Sequence, residues 1–303
     1  MKNNRNSLIL GLRLIIEGEA VCKWTESSGT GSNRRTTTYY GEEKYVNSVS
    51  YLFGSKDGEP TEVLQGIQTY NFECLLPEPI PYSVEGKHGH VRYKVDVNLD
   101  IPWAFDIHEV QPFTVVRCED LNVWLSDYLW QPQSVEEKKV FCCWFCRSDP
   151  LFVTVSVLKT GFVLGDCIPI LVELVNKSNT NVLYTNFALK KIEQYYSQGP
   201  FEKEKCIKDV VVEKTGVGAK AGETVIFEEL IEIPQIIMTS NSRYNQVFHI
   251  KYEIKVTVET EGMSVSPDLY IPIVIGNLPI REAGSWPSIS FGSPQRELRK
   301  ETL

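Results

Sequence analysis

The sequence predicts an all-β protein made of two tandem β-sandwiches followed by a short flexible C-terminal tail. Three observations predict this: two-residue alternation, an internal repeat, and no long amphipathic helical period. VRYKVDVNLD (91–100) alternates without a miss, with Val91, Tyr93, Val95, Val97 and Leu99 on one side and Arg92, Lys94, Asp96, Asn98 and Asp100 on the other. Such a strand buries one face and shows the other to water. FHIKYEIKVTVETE (248–261) alternates in the same way. The two strands hold equivalent places in a repeat. CLLPEPIP, a Gly-rich turn and VRYKVDV in the first half correspond to IEIPQII, a polar turn and IKYEIKV in the second. Many short strands with turn signals between them fit a pair of sandwiches.

Composition bounds the rest. A chain of 303 residues holds one large or two medium domains, and 42% apolar residues can form real cores. A formal net charge of −8 argues against a general nucleic-acid binder. No segment apart from the N-terminal run approaches the ~20 apolar residues of a membrane span.

Taken in chain order, MKNNRNSLILGLRLIIEGEA has the outline of a signal peptide, but Arg13 interrupts the apolar run. Leu8, Leu10, Leu12, Leu14 and Ile16 alternate with Gly11, Arg13 and Glu17, so a first strand is expected. Gly- and Ser-rich residues 27–33 then form a hairpin loop that presents Arg34 and Arg35, an arrangement suited to anionic groups such as acidic or phosphorylated tails or inositol lipid headgroups. Pro102 ends the strand at 100, leaving Trp103 as a core or hinge aromatic. VFCCWFC (140–146) is apolar on both strand faces and reads as one strand buried from both sides. Residues 183–196 are ambiguous between helix and strand. The Asp149-Pro150 step places the domain boundary, giving units over 8–147 and 148–278 and a tail over 279–303.

Candidate chemistry is sparse. Eight cysteines without a secretory signal are expected to be reduced, with Cys22, Cys74 and Cys167 as small hydrophobes, and the sequon Asn176-Lys177-Ser178 inert. CCWFC lacks the second ligand pair of a zinc site and the helical context of a redox motif. His88-Gly89-His90 is a metal-ligand spacing, and a metal-dependent β-sandwich enzyme using this pair is the alternative function. Turn chemistry accounts for its glycines without a metal. Four histidines leave few choices of general base. No catalytic residue, metal or cofactor is expected.

GEAVCKWTE (18–26), YYGEEKY (39–45), SVEGKHGHVRYKVDVNLDIPW (83–103), EKKVFCCWFC (137–146), TGFVLGD (160–166) and DLYIPIVIG (268–276) resemble the arrestin-domain-containing proteins, the α-arrestins, in particular their invertebrate members. The match runs over about residues 8–278. The resemblance implies two tandem arrestin-type, immunoglobulin-like β-sandwiches and no catalysis. It implies a cytoplasmic adaptor, associated with the plasma membrane and endosomes, that binds cytoplasmic segments of transmembrane cargo and connects them to ubiquitination, endocytosis and protein transport. It also implies that a basic face of the first domain meets cargo, which selects Lys87, Arg92 and Lys94. Pro-Pro-x-Tyr motifs, which dock ubiquitin-ligase WW domains, do not occur in these 303 residues. Contact with ubiquitin-ligase machinery is therefore expected to be indirect. Residues 214–225 contain no Cys, so thioredoxin binding is not implied. A retromer-type coat subunit of related fold is the remaining alternative.

Overall fold

The computed structural model describes residues 2–280, except 4–6, 57, 65, 125, 144–145, 148 and 263–265. The first sandwich is dominated by one sheet. Strands β1 (Gly11–Ser28) and β2 (Arg35–Gly54) form a long hairpin, β3 (Gly89–Asp100) pairs with the other side of β1, and β4 (Ile107–Phe113) extends β3. Alternation builds its core: Leu12, Leu14, Ile16, Ala20, Cys22 and Trp24 of β1 and Val91, Tyr93 and Leu99 of β3 are buried. The opposing layer is thin. Ser7–Ile9 pairs with Thr61–Val63, Lys2–Asn3 pairs with Gly66–Ile67, and residues 68–83 run without a ladder.

The expected phase of the first strand breaks at Leu10. Ile9 is 1% exposed and Leu8 55%, the reverse of the Leu8-Leu10-Leu12 reading. The cause is a layer crossing: 7–9 belong to the thin layer and 11–28 to the main sheet. Leu10 N donates to the Asp100 carbonyl at 2.9 Å. Gly54, at φ +68, passes so close that a Cβ there would sit 2.1 Å from the Leu10 carbonyl oxygen.

The second sandwich has two full layers. In one, β5 (Gln133–Lys139), β6 (Leu151–Val157), β8 (Cys167–Asn176) and β11 (Thr224–Glu232) lie in the order β5-β6-β8-β11. In the other, β7 (Gly161–Val163), β13 (Asp268–Gly276), β12 (Phe248–Thr260), β9 (Val182–Ser197) and β10 (Lys203–Thr215) lie in the order β7-β13-β12-β9-β10. The ambiguous residues 183–196 are therefore strand, paired on both sides within β9. Their β-branched and aromatic content suits that pleated, covered position.

Strand β5, which precedes the expected boundary at 147/148, pairs along all its length with β6, from Gln133↔Val157 to Lys139↔Leu151. Several expectations are corrected. VFCCWFC is not one continuous strand: Cys142–Cys143 pairs antiparallel with Cys146–Arg147. Trp144, Phe145 and the side chains of these cysteines lie outside the described residues. Cys22 is buried as expected, but Cys167 is exposed because it opens β8 on the outward side. Trp103 is fully exposed rather than a core aromatic, in a turn at φ +63. Pro279, expected in the tail, is laid with its neighbours against the 119–122 segment: Asn277 Oδ1 accepts from Glu119 N, the Leu278 carbonyl from Leu121 N, and the Pro279 carbonyl from Asn122 Nδ2. The expected tail beyond Ile280 lies outside the described residues.

The repeat is physical. Tyr93 and Tyr252 are both buried, and each hydroxyl donates to a backbone carbonyl at 2.6 Å, of Pro81 and Met238 respectively.

Candidate functional site

The two sandwiches meet along a hydrogen-bonded seam. Tyr40 N donates to the Gly199 carbonyl at 2.9 Å and Gln198 N returns to the Tyr40 carbonyl at 2.8 Å. Gln246 N donates to Glu43 Oε2 at 2.7 Å, and the Cys22 thiol to the Tyr196 carbonyl at 3.3 Å. Burial pushes the Cys22 thiol up to about 11, so it is a packed donor and not a nucleophile. Glu26 pairs with Lys203 at the same boundary.

The turn Glu85-Gly86-Lys87-His88-Gly89 is wedged into this seam. Lys87 N donates to Glu193 Oε2 at 3.0 Å and His88 N to the Tyr195 hydroxyl at 3.1 Å. The Tyr195 hydroxyl donates to Glu193 Oε2 at 2.5 Å, and Lys191 Nζ to Glu193 Oε1 at 2.8 Å. Burial of Glu193 works to raise its pKa, but these donors outweigh it and the net shift is downward. The glycines are explained here by close packing and not by turn conformation. A Cβ at Gly86 would lie 2.5 Å from both Phe248 Cζ and the Tyr195 hydroxyl, and one at Gly89 would lie 2.6 Å from the Val21 carbonyl oxygen. Neither has a positive φ.

The residues selected from sequence are dispersed and mostly paired. Lys87 Nζ lies 2.7 Å from Asp209, which is in the second sandwich. Arg92 clasps Glu85 with two bonds, at 2.7 and 2.8 Å, and this guanidinium holds the Glu85 carboxyl below its ordinary range. Lys94 pairs with Glu17 at 2.8 Å. Register places Glu17 opposite Lys94, and Glu19 opposite both Arg92 and Lys44, so acid alternates with base and the face is not basic. An incoming anion would have to displace a carboxylate at each position. Arg34 and Arg35 stand apart at the exposed β1–β2 hairpin end, with Arg34 Nη2 donating to Ser27 Oγ at 3.2 Å.

His88 and His90 do not assemble a ligand set. The His88 ring stands edge-on to Tyr195 at 5.7 Å, and among the described residues no group of three or more His, Cys, Asp or Glu side chains is arranged to hold a metal.

The concave feature of the first sandwich lies elsewhere, at the end where its second layer is thin. An apolar cleft of about 680 Å³ opens between the main sheet and residues 67–72. Leu12, Leu14, Val97 and Leu99 form its floor, and Ile67, Tyr70, Phe72, Ile101 and Ile107 stand around it. Leu12 and Leu99 belong with Ile9 and Val63 to a small core cluster separate from the main one. Sequence reasoning missed this site, and the available signal was GIQTYNF (66–72), apolar and aromatic residues without strand alternation. It also missed the buried carboxylate of Glu193, which sits on a strand covered on both sides.

Comparison with known proteins accounts for the architecture. Residues 1–122 match the family model described as Arrestin (or S-antigen), N-terminal domain, and residues 147–280 match Arrestin (or S-antigen), C-terminal domain. Arrestin domain-containing protein 4 of Mus musculus is 27% identical over 277 residues, 89% of this chain and 64% of that protein. Arrestin domain-containing protein 17 of Caenorhabditis elegans is 28% identical over 290 residues, 92% of this chain and 65% of that protein. Arrestin domain-containing protein 1 of Homo sapiens is 24% identical over 270 residues, covering 58% of its length. The chain thus spans somewhat under two thirds of these relatives. No helix among the described residues is long and apolar enough to cross a membrane. With both sandwiches matched in order, the chain belongs to the arrestin family, as an arrestin-domain-containing protein of the α-arrestin type.

Proposed function

We propose that this chain is a non-enzymatic adaptor that captures cytoplasmic segments of transmembrane proteins and links them to ubiquitin-dependent endocytosis, transport and sorting. Family membership supports the adaptor class. The single observation that carries the capture step is the apolar cleft of about 680 Å³ at the thinly covered end of the first sandwich. A concave apolar site with few polar groups suits side chains of an extended segment, and the exposed edge strand β4 beside it offers main-chain partners for an added strand. Arg34 and Arg35 are proposed as an accessory contact for anionic groups, ahead of the already paired Lys87, Arg92 and Lys94. The link to ubiquitin ligases runs through a partner or through sequence beyond these residues. The proposed setting is the cytoplasm, with peripheral association at the plasma membrane and endosomes. We further propose that the domain boundary lies at 131/132, since β5 is stitched into the second sandwich.

Proximity labelling in cells tests this with the double variant Phe72→Glu/Ile107→Glu, which charges two exposed cleft positions. Loss of transmembrane proteins from the labelled set, with unchanged melting of the purified variant, supports the cleft. An unchanged set removes the cleft from the account. A wild-type chain that labels no transmembrane protein overturns the adaptor reading altogether.

A further inference from the structure

The sheet β5-β6-β8-β11 turns one face to the core and the other to solvent, and the outward face is unusual. On β8 the outward residues are Cys167, Pro169, Leu171, Glu173 and Val175, and on β11 they are Thr224, Ile226, Glu228, Leu230 and Glu232. Leu171 lies opposite Glu228, so Ile226 and Leu230 are its diagonal neighbours. Pro169 lies opposite Leu230 and Glu173 opposite Ile226. Leu171 and Leu230 are 47% and 48% exposed, Ile226 is 62% exposed, and Leu158, which follows β6, is 73% exposed. β6 and β5 continue the face with Phe152, Thr154, Ser156, Ser134, Glu136 and Lys138.

Apolar side chains therefore share a surface with Glu136, Glu173, Glu228 and Glu232. None of these four carboxylates is in an ion pair among the described residues. The two cations at this face, Lys138 of β5 and Lys177 just past β8, both stand over the Phe152 ring, at 5.5 and 5.9 Å, at the edge of the face away from Leu171 and Leu230. Exposed apolar groups clustered on one face mark an interaction surface. Interleaved unpaired carboxylates state the sign of the partner, since like charges across an interface are costly and opposite charges fix register.

We propose that this outward face of the second sandwich is a docking surface for a basic amphipathic segment of a protein partner, one in which Lys or Arg alternates with apolar residues. Its leucines fill the space between Leu171, Ile226, Leu230 and Leu158, and its cations pair with Glu173 and Glu228. A second copy of this chain is the wrong occupant, because face-to-face contact would set these carboxylates against each other. The surface is separate from the cleft of the first sandwich and stands whether or not that cleft holds cargo.

The test uses the purified full chain and a fluorescent soluble peptide in which leucines alternate with arginines between glycine ends, read by anisotropy. A second peptide carries glutamate in place of arginine. The arginine peptide should bind, and Glu173→Lys/Glu228→Lys should weaken it about tenfold or more, as loss of two close charge pairs implies. That variant should gain affinity for the glutamate peptide. Leu171→Ser/Leu230→Ser should weaken the arginine peptide as well. Glu59→Lys/Glu73→Lys, which changes net charge equally on exposed residues of the first sandwich, should leave binding within about twofold. Equal loss in that control would reduce the effect to bulk charge and overturn the proposal, as would indifference to both face variants. Sedimentation showing a wild-type dimer that Leu171→Ser/Leu230→Ser dissolves would assign the face to a second copy. A chain ending at Ile280 whose Leu171 and Leu230 methyl signals shift without peptide would assign it to residues 281–303. Either result overturns the proposal.

Discussion

The two sandwiches carry the same repeat but finish it differently. The second closes its core between two full sheets, and Leu174, Ile170, Ile254 and Val256 are inaccessible. The first sets one large sheet against a thin layer of two-residue and three-residue ladders, and leaves Leu12, Leu14 and Val97 lining a cleft. Both retain the same buried tyrosine bonded to the loop before its strand. The repeat thus preserves the tie that orients the strand, while cover over the sheet is what varies. A sheet face without a full partner layer is available to something else.

The largest expected effect separates the two cores. Leu174→Ala leaves a void between two ordered sheets and should cost about 3–5 kcal/mol. Leu12→Ala borders an existing opening and should cost only about 1–2 kcal/mol, since little new cavity is created. Urea denaturation measures both, and equal costs would mean that the cleft is closed in solution. Next is the seam. Gly86→Val drives a side chain into Phe248 and Tyr195 and should cost about 1–3 kcal/mol by overpacking. Calorimetry should then resolve two transitions where the wild type shows one. A single, merely shifted transition would show that the sandwiches are coupled elsewhere.

Tyr93→Phe and Tyr252→Phe should each cost about 1–2 kcal/mol, because each removes the hydroxyl that a backbone carbonyl accepts from. Near-equal values support equivalence of the two ties, and a difference above about 1.5 kcal/mol breaks it.

The smallest effect is pH dependence. Burial lowers the pKa values of His88, His90 and His249. The unfolded chain therefore takes up protons at these sites before the folded chain does. Stability is fully present above about pH 6.5 and declines as pH falls towards the lowered folded values. Glu193, whose folded pKa is depressed, adds a second decline as pH falls through that value, below the ordinary carboxylate range. His249→Phe should flatten the first decline in a melting-temperature series from pH 7.5 to pH 5, and an unchanged slope would exclude His249 as its source.

Much of the fold was legible because strand alternation is local. The apolar residues from Val91 to Leu99 and from Phe248 to Val258 could be assigned to the inner face from their neighbours alone, although Asn98 and Glu253, expected to face water, are buried. What depends on crossing between layers was not. Ile9 replaces Leu8 in the core because the chain changes sheets at Leu10, and β5 joins the second sandwich although it precedes Asp149-Pro150. Charge was the least legible. The resemblance selected Lys87, Arg92 and Lys94 as a basic face, whereas their partners Asp209 and Glu17 come from distant parts of the chain and Glu85 from the turn before the strand.

The seam has a consequence for spacing. Backbone bonds between Tyr40 and residues 198–199, with the 85–89 wedge beside them, make the pair of sandwiches a ruler. A partner that touched both the cleft and the outward face of β8 and β11 would do so across a set span. The tether between its two contact segments would then govern their effective concentration, vanishing when too short and diluting when too long. Selectivity among partners would lie partly in a length that neither surface reads alone.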